Sequence, residues 1–114
     1  MPKETNQWVD AIARLTALTQ ESSLQWSVDS NPQGSEVVGT TYRTQYKGRH
    51  LRLQRRRVTF GFLSENHYFL EFVDISDNIL WEFPEAGVLE HLYNAVQYQT
   101  AGVKEFLDDL LSDE

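Results

Sequence analysis

"YKGRHLRLQRRRVTF", residues 46–60, holds six of the ten Lys and Arg residues of a 114-residue chain whose formal net charge is −7. Clustered cations neutralise phosphates and release counterions, as a nucleic-acid site requires. The periodicity points to something more basic. Lys47-Gly48-Arg49 is a short Gly-centred connection between two alternating runs, so the basic stretch reads as the return strand of a hairpin. Leu51 and Leu53 point one way, and His50, Arg52, Gln54 and Arg56 the other. The apolar phase then moves to Val58, Phe60 and Phe62, which predicts a bulge or a strand end near Arg55–Arg57.

Working outward, the strand before this hairpin runs from about Val37 to Tyr46, with Tyr42, Thr44 and Tyr46 on one face. "SNPQGSE" (30–36) supplies the turn chemistry ahead of it. Leu24, Trp26 and Val28 alternate with polar residues in an earlier strand. Before that, Trp8, Ala11, Ile12, Leu15 and Leu18 recur at the helical period, predicting a helix over about 5–20 capped by Thr5 or Asn6. Downstream, "SENH" (64–67) reads as a turn. Tyr68, Leu70 and Phe72 form a fourth strand, "DISDN" (74–78) turns the chain, and Ile79, Trp81 and Phe83 form a fifth that Pro84 ends. Val88, Leu92, Ala95, Val96 and Gln99 define a second helix closed by Ala101-Gly102. Val103, Phe106, Leu107, Leu110 and Leu111 define a third, the cleanest amphipathic pattern in the chain.

The expectation is therefore one α+β domain over residues 1–114. It is a five-stranded antiparallel meander with an N-terminal helix and two C-terminal helices packed mainly on one face, fraying over its last few residues. A hydrophobic content of 40%, with 24% charged residues, suits a globular domain. No cysteine is present, which removes disulfides, thiolate metal sites and a Cys nucleophile. The first residues lack a secretory pattern and no apolar run is long enough to span a bilayer, so the reading is soluble and cytoplasmic, with no membrane role.

Charge divides the chain sharply: residues 1–64 stand at +4 and residues 65–114 at −11. A chain at −7 repels a polyanion at long range, and no nucleic-acid motif accompanies the basic stretch. Nucleic acid is the less favoured partner. By alternation Arg52 and Arg56 share a face with Glu71 and Glu82, so much of the positive charge can match the chain's own carboxylates across neighbouring strands. Arg55, Arg56 and Arg57 together exceed what those two glutamates balance. The surplus suggests a surface for an acidic protein segment, formed by Arg52, Arg55, Arg56 and Arg57 with Phe69, Val73 and Leu80 as apolar anchors.

Phe69, Val73 and Leu80 on the same face as Glu71 and Glu82 invite self-association, unless the third helix crosses over to cover them or the register differs by one residue. The third helix has two readings of its own: a stripe facing the core, or a recognition helix seated in a groove on another chain. A ligand pocket between sheet and helices, lined by Trp26, Tyr42, Trp81 and Tyr93, is the alternative site. His50, His67 and His91 lie too far apart to form a metal-binding pair on one helix, and the Ser, P-loop and dinucleotide motifs of enzymes are missing. The function expected is a small protein-binding or assembly module, homodimeric, without catalytic residues, metal or cofactor.

Overall fold

The structure, a computed structural model, describes residues 3–30 and 34–112, with side chains from residue 7 onward. Helix α1 (Lys3–Gln20) precedes strands β1 (Ser27–Asp29), β2 (Thr41–Tyr46), β3 (Arg49–Phe60), β4 (Leu63–Val73) and β5 (Ile79–Glu82). Helices α2 (Val88–Thr100) and α3 (Val103–Ser112) complete the chain. The strands form one antiparallel sheet in the order β1-β2-β3-β4-β5, the meander that the alternating runs predict. The helix begins at Lys3, so Thr5 and Asn6 lie inside its first turns and not at an N-cap. Fraying at Asp113 and Glu114, and the Asn31–Gln33 part of the first turn, lie outside the described residues.

Register follows from two tight hairpins. Tyr46 pairs with Arg49 across Lys47-Gly48, whose φ angles of 50° and 83° are both positive, as a primed turn demands. Phe60 pairs with Leu63 across Gly61-Phe62, with Gly61 at φ 57°. The second turn is therefore at Gly61, and "SENH" is part of β4. β3 runs unbroken past Arg55–Arg57, each residue from His50 to Phe60 facing a β4 partner. The apolar phase changes there for another reason. Tyr93 of α2 meets both side chains of the Arg55–Tyr68 pair, and beyond that pair most of the described ribbon residues are exposed. Among the described residues the slip in pairing lies instead between Phe72 and Val73 opposite β5.

One face of the sheet packs on α1 and α2. Tyr42, Leu51, Leu53, Leu70 and Phe83 meet Ile12 and Leu15 of α1 and Leu89, Leu92, Tyr93 and Val96 of α2. Removing a Leu or Phe side chain from water is worth roughly 1.5–3 kcal/mol, and these residues make up the core. Leu24 and Trp26 are buried there too, but ahead of β1. Trp26 donates its indole N–H to Thr19 Oγ1 at 3.0 Å. Gln99 then ties three segments together: its carbonyl accepts from Trp26 N–H, and its amide donates to the carbonyls of Thr19 and Leu24. That amide is a second donor to the Thr19 carbonyl at the end of α1, which also accepts from Ser22 N–H.

The expected second strand from Val37 is interrupted. Val37 bridges Arg56 and Val38 N–H bonds to the Arg55 carbonyl, but Gly39 (φ 76°) breaks the run before β2 starts. A Cβ at Gly39 would stand 2.7 Å from Arg55 Nη2, so the glycine makes room for that arginine to reach Tyr93. Among the described residues no helix is long and apolar enough to cross a membrane.

Candidate functional site

The arginines of β3 divide by face. On the side away from the helices, register sets Arg43, Arg52, Glu71 and Glu82 in one row across four strands. Arg52 Nε and Nη2 both donate to Glu71 Oε1, at 3.0 and 2.9 Å, and Arg56 donates to Glu71 Oε2. Arg56 also reaches Glu82 at 3.7 Å and lays its guanidinium 4.3 Å from the Phe69 ring centre. The Gln54 amide lies between Arg56 and Glu71. Arg43 is held by Asp77 and the Asp74 carbonyl of the β4–β5 turn.

Cross-strand neutralisation is thus present, but in a form that alternation does not reveal. Arg52 is 1% exposed and Glu71 0%. This is a buried ion pair flanked by surface cations, not a solvated ladder, and its desolvation cost is large. Arg52 is in consequence closed to a partner, and Val73, 2% exposed, is equally closed. Phe69 is half-buried beneath Arg56, while Leu80 is exposed beside the pairing slip. Arg55 faces the helices, its Nε donating to the Val38 carbonyl, and only Arg57 of the triplet is exposed. The seven residues expected to form one surface are split between two faces and the interior.

The four aromatic residues expected to line a pocket are also apart. Trp26, Tyr42 and Tyr93 are core, with Tyr42 and Tyr93 edge-on at 5.4 Å and Tyr93 O–H donating to the Thr40 carbonyl at 2.6 Å. Burial pushes the Tyr93 phenol above its ordinary range. Trp81 packs 4.8 Å from Trp8 near the sheet edge, among Phe72 and Phe83.

Three other features stand out. First, an open groove of about 340 Å³ runs between α1 and the sheet, floored by Leu15, Leu18, Leu51, Phe72 and Phe83. Arg14 and Arg49 also line it, and neither joins an ion pair among the described residues. Second, α3 buries none of its residues: Phe106 is 62% and Leu110 58% exposed, with Leu107 and Leu111 exposed beside them. A cleft of about 430 Å³ separates its first turn, at Lys104 and Glu105, from α1 and α2. The expectation that this stripe faces the core is overturned; Gly102 (φ 71°) turns the chain so that α3 packs mainly beside α2. Third, the β3–β4 ribbon ends in exposed Phe60, Phe62 and Leu63.

Residue patterning hinted most clearly at the second feature. The ribbon tip is signalled by Gly61 between two phenylalanines, a turn residue outweighed by the polar "SENH" that follows. The groove has no local signature, because Arg14 and Arg49 are 35 positions apart in sequence.

At the root of the ribbon, His67 contacts Glu65 at 3.0 Å through Nε2 and Glu85 through Nδ1. The Glu65 hydrogen bond is the main cause raising the imidazole above its ordinary pKa. Comparison of the chain with models of protein families, with curated proteins and with solved structures finds no match. Its own geometry carries the functional reading.

Proposed function

We propose that this chain is a protein-binding module that assembles with further copies of itself through its apolar projections. The observation carrying this reading is α3, a ten-residue helix whose Phe106, Leu107, Leu110 and Leu111 are all exposed. A helix this short is marginal in water unless its apolar face is covered. Contiguous apolar surface of this kind marks an interaction site. The basic strand has a different role in this reading: its Arg52 and Arg56 are spent on Glu71 inside the fold.

Sedimentation equilibrium at micromolar concentration tests it. The full chain is expected to show a mass above 13.3 kDa, falling toward that value when Phe106→Ser and Leu110→Ser are combined. A mass of 13.3 kDa at every concentration overturns the reading.

A further inference from the structure

The β3–β4 ribbon leaves one strand edge bare, and the backbone there limits what can lie against it. We infer that two copies of this chain pair their β4 edges antiparallel about a two-fold axis at Asn66, joining their sheets into one. This rests on the assembly reading and gives that assembly a contact other than α3.

In an antiparallel ladder the N–H and C=O of a residue point to the same side, and that side alternates along the strand. Val38 N–H bonds to the Arg55 carbonyl and Arg57 N–H to the Glu36 carbonyl, so these β3 residues point away from β4. Their partners Tyr68 and Asn66, and Ser64 opposite Thr59, accordingly point away from β3. Leu70 keeps the same phase, its carbonyl accepting from Phe83 N–H on the outer side. There the ladder stops: among the described residues no backbone hydrogen bond reaches Ser64, Asn66 or Tyr68 from that side. An unpaired edge is a template for another strand, and proteins blunt such edges with bulges, prolines or shortness. The outermost strands are blunted in this way: β1 has three residues, and β5 has four, a pairing slip and Pro84 after it. Leu63–Tyr68 carries no proline, no lysine and no slip. A cleft of about 390 Å³ lies open beside it, between Asn66–Tyr68 and Glu85–Gly87.

The backbone calls for a strand, and the side chains fit a second copy of this one. With the axis at Asn66, Ser64 faces Tyr68 of the second copy, and each such pair exchanges both its hydrogen bonds. Leu63 then faces Phe69 of the second copy. Because Phe60 pairs with Leu63 within its own ribbon, Phe69 of one copy and Leu63 and Phe60 of the other form a continuous apolar row on the face away from the helices. The row covers Phe60 and Leu63, which are 55% and 68% exposed in the single chain. In this register Glu65 faces His67 of the second copy. An axis at Glu65 sets that carboxylate against its own copy, an axis at His67 does the same to the imidazole, and like charges directly opposite are destabilising. An axis at Ser64 sets Leu63 against Glu65 and loses the apolar row. Glu85, itself exposed, reaches His67 from across the cleft; on pairing, Glu65 of the second copy takes its place beside the imidazole. An isologous contact of this kind closes as a dimer and leaves neither edge open.

The lack of cysteine makes the test clean. Full-length Glu65→Cys and full-length His67→Cys are mixed in equal amounts under mild oxidation. In the proposed register these positions face one another in the close, non-hydrogen-bonded geometry that a disulfide spans. Disulfide between the two unlike chains is expected to exceed the half share that random collision gives. Asn66→Pro removes an outward N–H and leaves the β3–β4 ladder intact. It is expected to raise the dimer dissociation constant about tenfold, one hydrogen bond being lost from each copy. Thr59→Pro, the matched change on the other edge of the ribbon, is expected to leave that constant unchanged. Should Asn66→Pro melt well below Thr59→Pro, the disulfide share alone decides. If the unmodified chain associates but the unlike disulfide stays at its random share, the edge pairing falls and the assembly reading stands. A folded Asn66→Pro chain that associates as tightly as the parent has the same consequence. If the unmodified chain remains at 13.3 kDa, both fall.

Discussion

Glu71 is the residue on which the sheet's polar face depends. It is buried with two arginines on its carboxylate, and Arg52 Nη1 beside it is buried with no hydrogen-bond partner. Removing the carboxylate while leaving the guanidinium strands a charge in the interior. Glu71→Gln is therefore expected to cost about 3–5 kcal/mol in urea unfolding. Replacing both partners, Arg52→Met with Glu71→Leu, is expected to cost far less than the sum of the two single changes. A double-mutant cycle giving additive effects would show that the pair is not coupled. This row was legible in part. Period-two alternation placed Arg52, Arg56, Glu71 and Glu82 on one face, as the register bears out. Alternation assigns faces and not depth, so the burial of Arg52 and Val73 had no sequence signal.

Among the elements, the core strands and α1, α2 were readable because each commits one periodic face to the same interior. The exceptions are elements that leave that interior. β3 and β4 continue past Tyr93 as a free ribbon, and there the apolar phase no longer reports a buried side. The β5 edge is short and followed by Pro84, which limits unwanted strand addition. α3 has a perfect amphipathic period, but a period does not say whose surface it meets. Since α3 buries nothing in its own chain, Phe106→Ser with Leu110→Ser is expected to leave the stability of the isolated monomer within about 0.5 kcal/mol of the parent. Thermal melts at concentrations low enough to dissociate any assembly measure this. A loss comparable to a core truncation, about 2–5 kcal/mol, would mean that the helix folds back onto its own domain.

At the scale of the whole molecule, the protein spans 53 × 36 × 30 Å, longer than its core because the ribbon runs out beyond the helices. At the ribbon's root His67 links Glu65, on the ribbon, to Glu85, in the segment leading into α2. The imidazole's pKa is raised, first by its hydrogen bond to Glu65 and also by Glu85. A raised folded-state pKa means that the folded state holds the proton more tightly than the unfolded chain, whose His titrates near 6.5. The link accordingly stabilises in full below about pH 6.5 and fades as pH climbs through the raised value. His67→Gln is expected to melt below the parent at pH 5.5–6, with the gap closing as pH rises through the raised value. The imidazole's NMR titration midpoint should lie above 6.5. A gap that stays constant across the range, or a midpoint at or below the unfolded value, would remove the charge-assisted link at the ribbon's root.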